Sequence, residues 1–221
     1  MKKVLSLVTL LFITTVLAAQ TGVTQFLGIP VDGSKSEMIR KLKAKGFTST
    51  SYDSDILEGE FNGRDVTISI VTNKNKVYRI MVMDKRPSDE GQIKIRYNAL
   101  YRQFLDNDKY VLAIDSDSLL SDEEDIEYEI TINNKQYAAT FCQKPDKAEI
   151  ESQQENSLMR HMEKTMSDPE AEDDLKKGAE LLAGILYSRN KVWFTIAYFK
   201  GKYYIAIYYD NERNAAHGED L

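Results

Sequence analysis

The stretch from Val192 to Tyr209 constrains the fold most, because it alternates like a β-hairpin yet is apolar on both faces. With Lys200-Gly201 as the turn, one face carries Val192, Phe194, Ile196, Tyr198, Tyr203, Ile205, Ile207 and Tyr209. The other face carries Trp193, Thr195, Ala197, Phe199, Lys202, Tyr204, Ala206 and Tyr208. Such a large apolar surface predicts a hairpin whose second face is covered by another element or by a partner.

Two further segments alternate with one apolar face and one polar face, as half-buried antiparallel ribbons do. Asn62-Gly63 is the strongest short hairpin signal, and it sets Phe61 opposite Arg64. In the second segment Asn133-Asn134 is the predicted turn, and its apolar face is Ile126, Tyr128, Ile130, Ile132, Tyr137 and Phe141. Its polar face is Glu127, Glu129, Thr131, Gln136 and Thr140.

Helix signals precede the first two ribbons. Ser34 and Glu37 have the spacing of a capping box, and Gly46 supplies a stop for the helix that follows. A second start at Pro87-Ser88 leads into acidic residues, which favour the positive end of a helix dipole. Four large apolar residues then recur at helical spacing, namely Tyr97, Leu100, Tyr101 and Phe104.

This order of elements predicts an α+β protein built from two helix-plus-antiparallel-sheet units in tandem. The first unit spans residues 20–86 and the second residues 87–221. A helical insertion at about 146–188 interrupts the second unit. It contains a helix opened by Asp168-Pro169, with an apolar stripe of Leu175, Ala179, Leu182, Ile185 and Leu186.

Residues 1–19 have the layout of a secretory signal peptide, with Lys2 and Lys3 before an apolar run and a small-residue site at Ala18-Ala19. The mature chain is therefore expected to start near Gln20 and to work in the periplasm or outside the cell. No second apolar stretch reaches membrane-spanning length.

Composition argues against several classes of partner and chemistry. The net charge is −6, and −8 once Lys2 and Lys3 are removed, which disfavours nucleic acid and anionic membranes. Cys142 is the only cysteine, so no internal disulfide is possible. It also lies far from the cleavage site, which excludes the lipid-modified cysteine of an exported lipoprotein. The ending Gly218-Glu219-Asp220-Leu221 does not match an endoplasmic-reticulum retrieval signal.

No catalytic or metal motif is present, so the sequence predicts no enzyme activity, no metal and no cofactor. His161 and His217 are not spaced as a ligand pair, and Cys142 has no histidine near it in sequence to serve as a base. The acidic loop 115–125 lacks the glycine and the final glutamate of a calcium-binding loop. Carboxylate-only chemistry, as in glycoside hydrolysis, remains an alternative.

The candidate functional residues are those on the second face of the third hairpin: Trp193, Phe199, Lys202, Tyr204 and Tyr208. One interpretation has the helix around residues 175–186 packed over them. The other leaves a rigid aromatic face open to a protein of the cell envelope, since tyrosine and tryptophan concentrate binding energy at interfaces. A structural envelope protein with no discrete ligand is the competing hypothesis.

Several short motifs resemble a family of exported proteins abundant in gut bacteria of the Bacteroides type. They are Phe26-Leu27-Gly28-Ile29-Pro30-Val31-Asp32-Gly33-Ser34-Lys35, Lys43-Ala44-Lys45-Gly46-Phe47, Gly59-Glu60-Phe61-Asn62-Gly63, Gly201-Lys202-Tyr203-Tyr204-Ile205 and Tyr209-Asp210-Asn211-Glu212. The resemblance covers nearly the whole mature chain and brings no assigned activity. More distantly, the repeated helix start feeding a sheet is similar to β-lactamase inhibitor protein and to small outer-membrane assembly lipoproteins, which implies a binding module.

Overall fold

The computed structural model describes residues 22–113, 119–144 and 190–216. Within these ranges the helices are α1 (Lys35–Ala44), α2 (Glu90–Leu105) and α3 (Ile126–Thr131), and a 3₁₀ turn covers Glu212–Asn214. The strands are β1 (Gln25–Phe26), β2 (Ile29–Pro30), β3 (Thr48–Ser49), β4 (Ile56–Phe61), β5 (Arg64–Asn73), β6 (Lys76–Asp84), β7 (Tyr110–Leu112), β8 (Ala138–Gln143), β9 (Lys191–Phe199) and β10 (Lys202–Asp210). The protein is therefore α+β.

Eight of these strands form one antiparallel sheet, in the order β3-β4-β5-β6-β10-β9-β8-β7. The remaining two, β1 and β2, form a small separate ribbon. Strand β10 comes last along the chain but lies near the middle of the sheet, where Tyr209 pairs with Ile80 and Ile207 with Val82 of β6. The hairpin that is apolar on both faces is thus inside the sheet.

Two of the three predicted hairpins are confirmed in register. Phe61 pairs with Arg64 between β4 and β5, and Phe199 pairs with Lys202 between β9 and β10. Both residues of each turn have positive φ angles, as a tight two-residue hairpin requires. The local turn signals were sufficient to set these registers.

The predicted hairpin around Asn133-Asn134 is wrong. Residues Ile126–Thr131 form the short helix α3 rather than a strand. Asp125 starts this helix, because its side chain accepts a hydrogen bond from the backbone N–H of Tyr128. That cap satisfies one of the unpaired amides at the helix start and favours the helical conformation.

The apolar and polar residues that alternate in this segment do not lie on the two faces of a sheet. Only Ile126 of the helix is buried, while Tyr128 and Ile132 are more than half exposed. The strand that pairs with β9 is β8, in which Thr140 lies opposite Trp193. The acidic residues predicted for the polar face of this ribbon therefore lie on a helix.

Both long helices pack on the same face of the sheet, which we call the inner face. Phe194 of β9 lies 5.0 Å from Tyr97 and 5.8 Å from Phe104 of α2, measured between ring centroids. Met38 and Leu42 of α1 are buried in the same apolar cluster. That cluster includes all four large α2 residues predicted from their helical spacing, which confirms this face of α2.

The starts of α1 and α2 agree closely with the sequence. Ser34 accepts a hydrogen bond from the backbone N–H of Glu37, as the capping motif predicts. The Glu37 carboxylate forms an ion pair with Lys41 one turn later. Helix α2 begins at Glu90 with Asp89 as its cap, two residues after the predicted start.

Several predictions fall outside the described residues: the signal peptide 1–19, the insertion 146–188 with the helix near residues 175–186, and both histidines. Within the described ranges, no helix combines the length and the apolar composition needed to cross a membrane.

Candidate functional site

The face of the sheet turned away from α1 and α2 is the candidate functional site, and we call it the outer face. One row across five neighbouring strands consists of Ser69, Met81, Tyr208, Trp193 and Thr140. The next row consists of Thr67, Met83, Ala206, Thr195 and Ala138. All ten are half-buried except Ala206, which is buried. The centre of the outer face therefore contains no charged side chain.

An aromatic pair lies at one end of this surface. The rings of Trp193 and Tyr208 stack with 4.1 Å between centroids and 15° between planes. The guanidinium carbon of Arg79 lies 5.5 Å from the Trp193 ring and 5.1 Å from the Tyr208 ring. These distances fall within the range of cation–π attraction.

The Asp210 side chain fixes the positions of Arg79 and Trp193 through hydrogen bonds. Its carboxylate accepts hydrogen bonds from Arg79 Nε at 2.6 Å and Arg79 Nη2 at 2.8 Å. The indole Nε1–H of Trp193 donates to Asp210 Oδ2 at 2.8 Å. The hydrogen bond to Asp210 raises the pKa of Arg79, although partial burial opposes this shift. The carboxylate and the guanidinium neutralise each other, so the rings present a nearly uncharged surface.

A β-bulge adds a third ring beside Arg79. Arg79 pairs with Val71, whereas Val77 pairs with Thr72, so Tyr78 is an extra residue in β6. Bulges turn side chains away from the regular alternation of a strand. Here the Tyr78 ring lies 5.8 Å from the guanidinium carbon of Arg79. We call Tyr78, Arg79, Trp193, Tyr208 and Asp210 the aromatic cluster.

The structure divides the five residues predicted for the binding face between two places on the β9–β10 hairpin. Trp193 and Tyr208 are direct cross-strand partners. Tyr204 lies four residues from Tyr208 on the same strand, a distance of about 13 Å along an extended chain. Phe199 and Lys202 pair at the tip of the hairpin, where the Phe199 side chain is 62% exposed. Tyr204 and Phe199 extend the apolar surface toward the turn, where Lys202 adds a positive charge.

Three members of the aromatic cluster were missed from the sequence. Tyr78 and Arg79 lie on β6, a strand outside the three predicted hairpins although residues 77–83 are rich in β-branched and large apolar residues. In the sequence, Asp210 stands out only within the motif Tyr209-Asp210-Asn211-Glu212. An acidic residue that ends an aromatic strand can indicate such a cluster in the sequence. The partner of Asp210, however, is Arg79, which is 131 residues away in sequence.

Cys142 and the described part of the acidic loop are the other groups that the sequence offered for chemistry. Cys142 is buried, and burial raises the pKa of its thiol. In the acidic loop, Glu124 accepts hydrogen bonds from Lys135 and from the Tyr137 hydroxyl, and these lower the pKa of its carboxyl group. The part of the chain that the structure describes contains no group of three His, Cys, Asp or Glu side chains that could hold a metal ion.

Tyr203 is an unusual polar residue on the inner face. Its side chain is only 3% exposed, and its hydroxyl has no hydrogen-bond partner among the described groups. Burial is the main cause that raises the pKa of Tyr203 to about 12, and the nearby Glu127 and Glu90 carboxylates add to it. An unpaired buried hydroxyl lowers stability relative to an apolar group of the same shape.

We expect Tyr203→Phe to leave the protein equally stable, or more stable by up to about 1 kcal/mol, at neutral pH. The folded protein holds the pKa of Tyr203 above its ordinary value, so it disfavours the ionised phenol relative to the neutral one. The stability that the neutral form contributes below pH 10 is therefore lost as the pH rises from 10 to 12. The variant should therefore lose less stability than the wild type over that interval in urea denaturation. Tyr52→Phe, at an exposed position, is the control, and equal alkaline losses in all three proteins would contradict the prediction.

Comparison with protein-family models, with curated proteins and with solved structures finds no match to this chain. The outer face therefore has to be interpreted from its own geometry and chemistry.

Proposed function

We propose that this chain is an exported, non-enzymatic binding protein of the cell envelope that holds a protein partner against the outer face. The observation that carries the proposal is the aromatic cluster, in which the Trp193–Tyr208 stack is fixed by Asp210 and Arg79. A surface whose aromatic side chains are already ordered loses little conformational entropy when a partner binds.

The composition of the outer face supports a protein as the partner. Interfaces between proteins are enriched in tyrosine, tryptophan, methionine and arginine and depleted of other charged residues at their centre. The outer face has Trp193, Tyr208 and Arg79 at one end and Met81 and Met83 beside them. Nucleic acid and anionic membranes are poor candidates for a chain of net negative charge.

The sheet is also consistent with two tandem helix-plus-sheet units, which we include in the proposal. Helix α1 precedes β4 to β6, and α2 precedes β8 to β10, and the last strand of each set, β6 and β10, pair with each other. This arrangement supports the interpretation as two tandem units. The signal-peptide pattern of residues 1–19 supports export, with the mature chain starting near Gln20.

Site-specific cross-linking in the native host tests this proposal. A photoreactive phenylalanine derivative at position 204 should cross-link to one envelope protein, identified by mass spectrometry, and the same group at the exposed position of Tyr52 should not. Trp193→Ala in the same background should reduce the cross-linked product at least tenfold, since central aromatic residues dominate interface energy. The N-terminal peptide of the recovered chain should begin near Gln20.

Two outcomes would contradict the proposal. If the outer face is instead covered by the segment near residues 175–186, Trp193→Ala should cost several kcal/mol of stability, as large-to-small core changes do, and leave cross-linking unchanged. If the protein is a structural envelope component, no discrete cross-linked product should form at any outer-face position.

A further inference from the structure

A cleft on the inner side of the molecule lies between the β1–β2 ribbon, the C-terminal half of α2 and β7. It has two adjoining parts with volumes of about 260 and about 640 Å³. Both parts share the lining residues Leu27, Phe61, Asn107, Tyr110 and Tyr209. None of these residues belongs to the outer face, so the cleft is a separate site.

The smaller part has a polar wall of hydrogen-bonded groups. The Gln143 side chain accepts from the backbone N–H of Gln25 at 2.6 Å and donates to its carbonyl at 3.2 Å. Burial raises the pKa of Tyr110, and hydrogen bonds from Gln143 and Tyr209 act in the opposite direction. The Tyr110 hydroxyl therefore belongs to this hydrogen-bonded wall, and a phenol can donate its hydrogen to a ligand.

The smaller part also has a cationic rim. Lys109 and Lys144 both line it, and the hydrogen bond from Lys144 N to Lys109 O, 2.8 Å long, joins their backbones. Within the described residues, neither lysine takes part in an ion pair. Among the residues that the structure describes, the charged side chains lining this part are the two lysines, in a protein of net negative charge.

The larger part is lined by five large apolar side chains, Leu27, Phe47, Phe61, Leu100 and Phe104. Its lining also includes the polar Asn62, Gln103 and Asn107 and the oppositely charged Lys45 and Glu60. The cleft as a whole therefore changes from an apolar region to a cationic, hydrogen-bonding region.

Leu27 lies at the junction of the two parts, and its backbone is unusual. Leu27 and Gly28 form the β1–β2 turn with φ angles of 52° and 75°. Three other tight turns of the chain have the same two positive φ angles, and their first residues are Asn62, Lys74 and Lys200. Asparagine and glycine are preferred in this turn, and a bulky apolar residue with positive φ is an outlier that is often found at a functional site.

We infer that this cleft binds a small amphipathic carboxylate. The carboxylate group lies in the smaller part and accepts hydrogen bonds from the Tyr110 hydroxyl and from Lys109 and Lys144. The apolar tail lies in the larger part, between Leu27 and the side chains of Phe61 and Phe104. Leu27 is retained in an unfavourable turn conformation because its side chain completes the wall against which the tail packs.

Titration calorimetry with three probes tests this inference on the mature chain. Octanoate carries both features, octanol only the tail and acetate only the charge. Octanoate should bind at least tenfold more tightly than either of the others, since each missing feature removes one set of contacts. Lys109→Gln combined with Lys144→Gln should weaken octanoate binding about tenfold and leave octanol binding unchanged.

Leu27→Asn separates a binding role from a structural one. Asparagine suits the turn, so the melting temperature should stay the same or rise, whereas octanoate binding should weaken about tenfold. Lys200→Asn makes the equivalent change in a turn away from the cleft, so the melting temperature should again stay the same or rise while octanoate binding is unchanged. Octanoate binding that is undetectable at 10 mM, or that is equal in the wild type and in both sets of variants, would overturn the inference whatever the outcome at the outer face.

Discussion

Phe194→Ala is expected to lower the free energy of unfolding by about 4 kcal/mol, near the upper end of large-to-small changes in protein cores. Phe194 is fully buried on β9 and packs against Tyr97 and Phe104 of α2 and Phe141 of β8. Removing this ring takes away the contact that joins α2 to two strands, and the surrounding aromatic rings are too rigid to fill the cavity. Guanidinium denaturation followed by circular dichroism measures the loss.

Two variants show whether this loss comes from the core. Phe194→Leu keeps most of the volume and should cost no more than about 1.5 kcal/mol. Trp193→Ala removes a larger ring from the adjacent position, but on the outer face, where the side chain is only half-buried. If Phe194→Ala proves no more harmful than Trp193→Ala, the inner face is not the principal core of the protein.

The features that could be predicted from the sequence are those with local causes. Asn62-Gly63 and Lys200-Gly201 set the registers of two hairpins because the turn conformation involves only adjacent residues. The start of α1 depends on Ser34, three residues before the amide that it caps. The first face of the β9–β10 hairpin followed from period-two alternation alone, and it forms the centre of the core.

The features that could not be predicted depend on pairings distant in sequence. The alternation from Ile126 to Ile132 favoured a strand, but the strand that pairs with β9 is β8, and the segment before it is a helix whose local signal, the Asp125 cap, the alternation outweighed. Within the aromatic cluster, Arg79 and Asp210 meet only because β6 pairs with β10. The extra residue Tyr78 reaches the outer face through a bulge, which shifts the alternation that a pattern analysis assumes to be regular.

The aromatic cluster depends on one carboxylate, and Asp210→Asn should therefore lower the free energy of unfolding by about 3 kcal/mol. The Asp210 side chain is 9% exposed and accepts three hydrogen bonds, two from Arg79 and one from Trp193. An asparagine side chain has a single oxygen, so its NH₂ group must face a donor of Arg79 or Trp193. The substitution leaves the Arg79 cation without a counter-charge beside the stacked rings.

The fluorescence of Trp193 reports directly on this change, because it is the only tryptophan in the chain. Its emission should shift to longer wavelength in Asp210→Asn as the indole loses its hydrogen bond and becomes more solvated. Glu58→Gln makes the same chemical change in the more exposed ion pair with Lys85, which is expected to contribute little to stability, and should leave the emission unchanged. Because Asp210 orders the rings before a partner arrives, its loss should also weaken cross-linking at the outer face. If Asp210→Asn matched Glu58→Gln in both stability and emission, Asp210 would not be the group that orders the aromatic cluster, and the proposed binding surface would lose its physical basis.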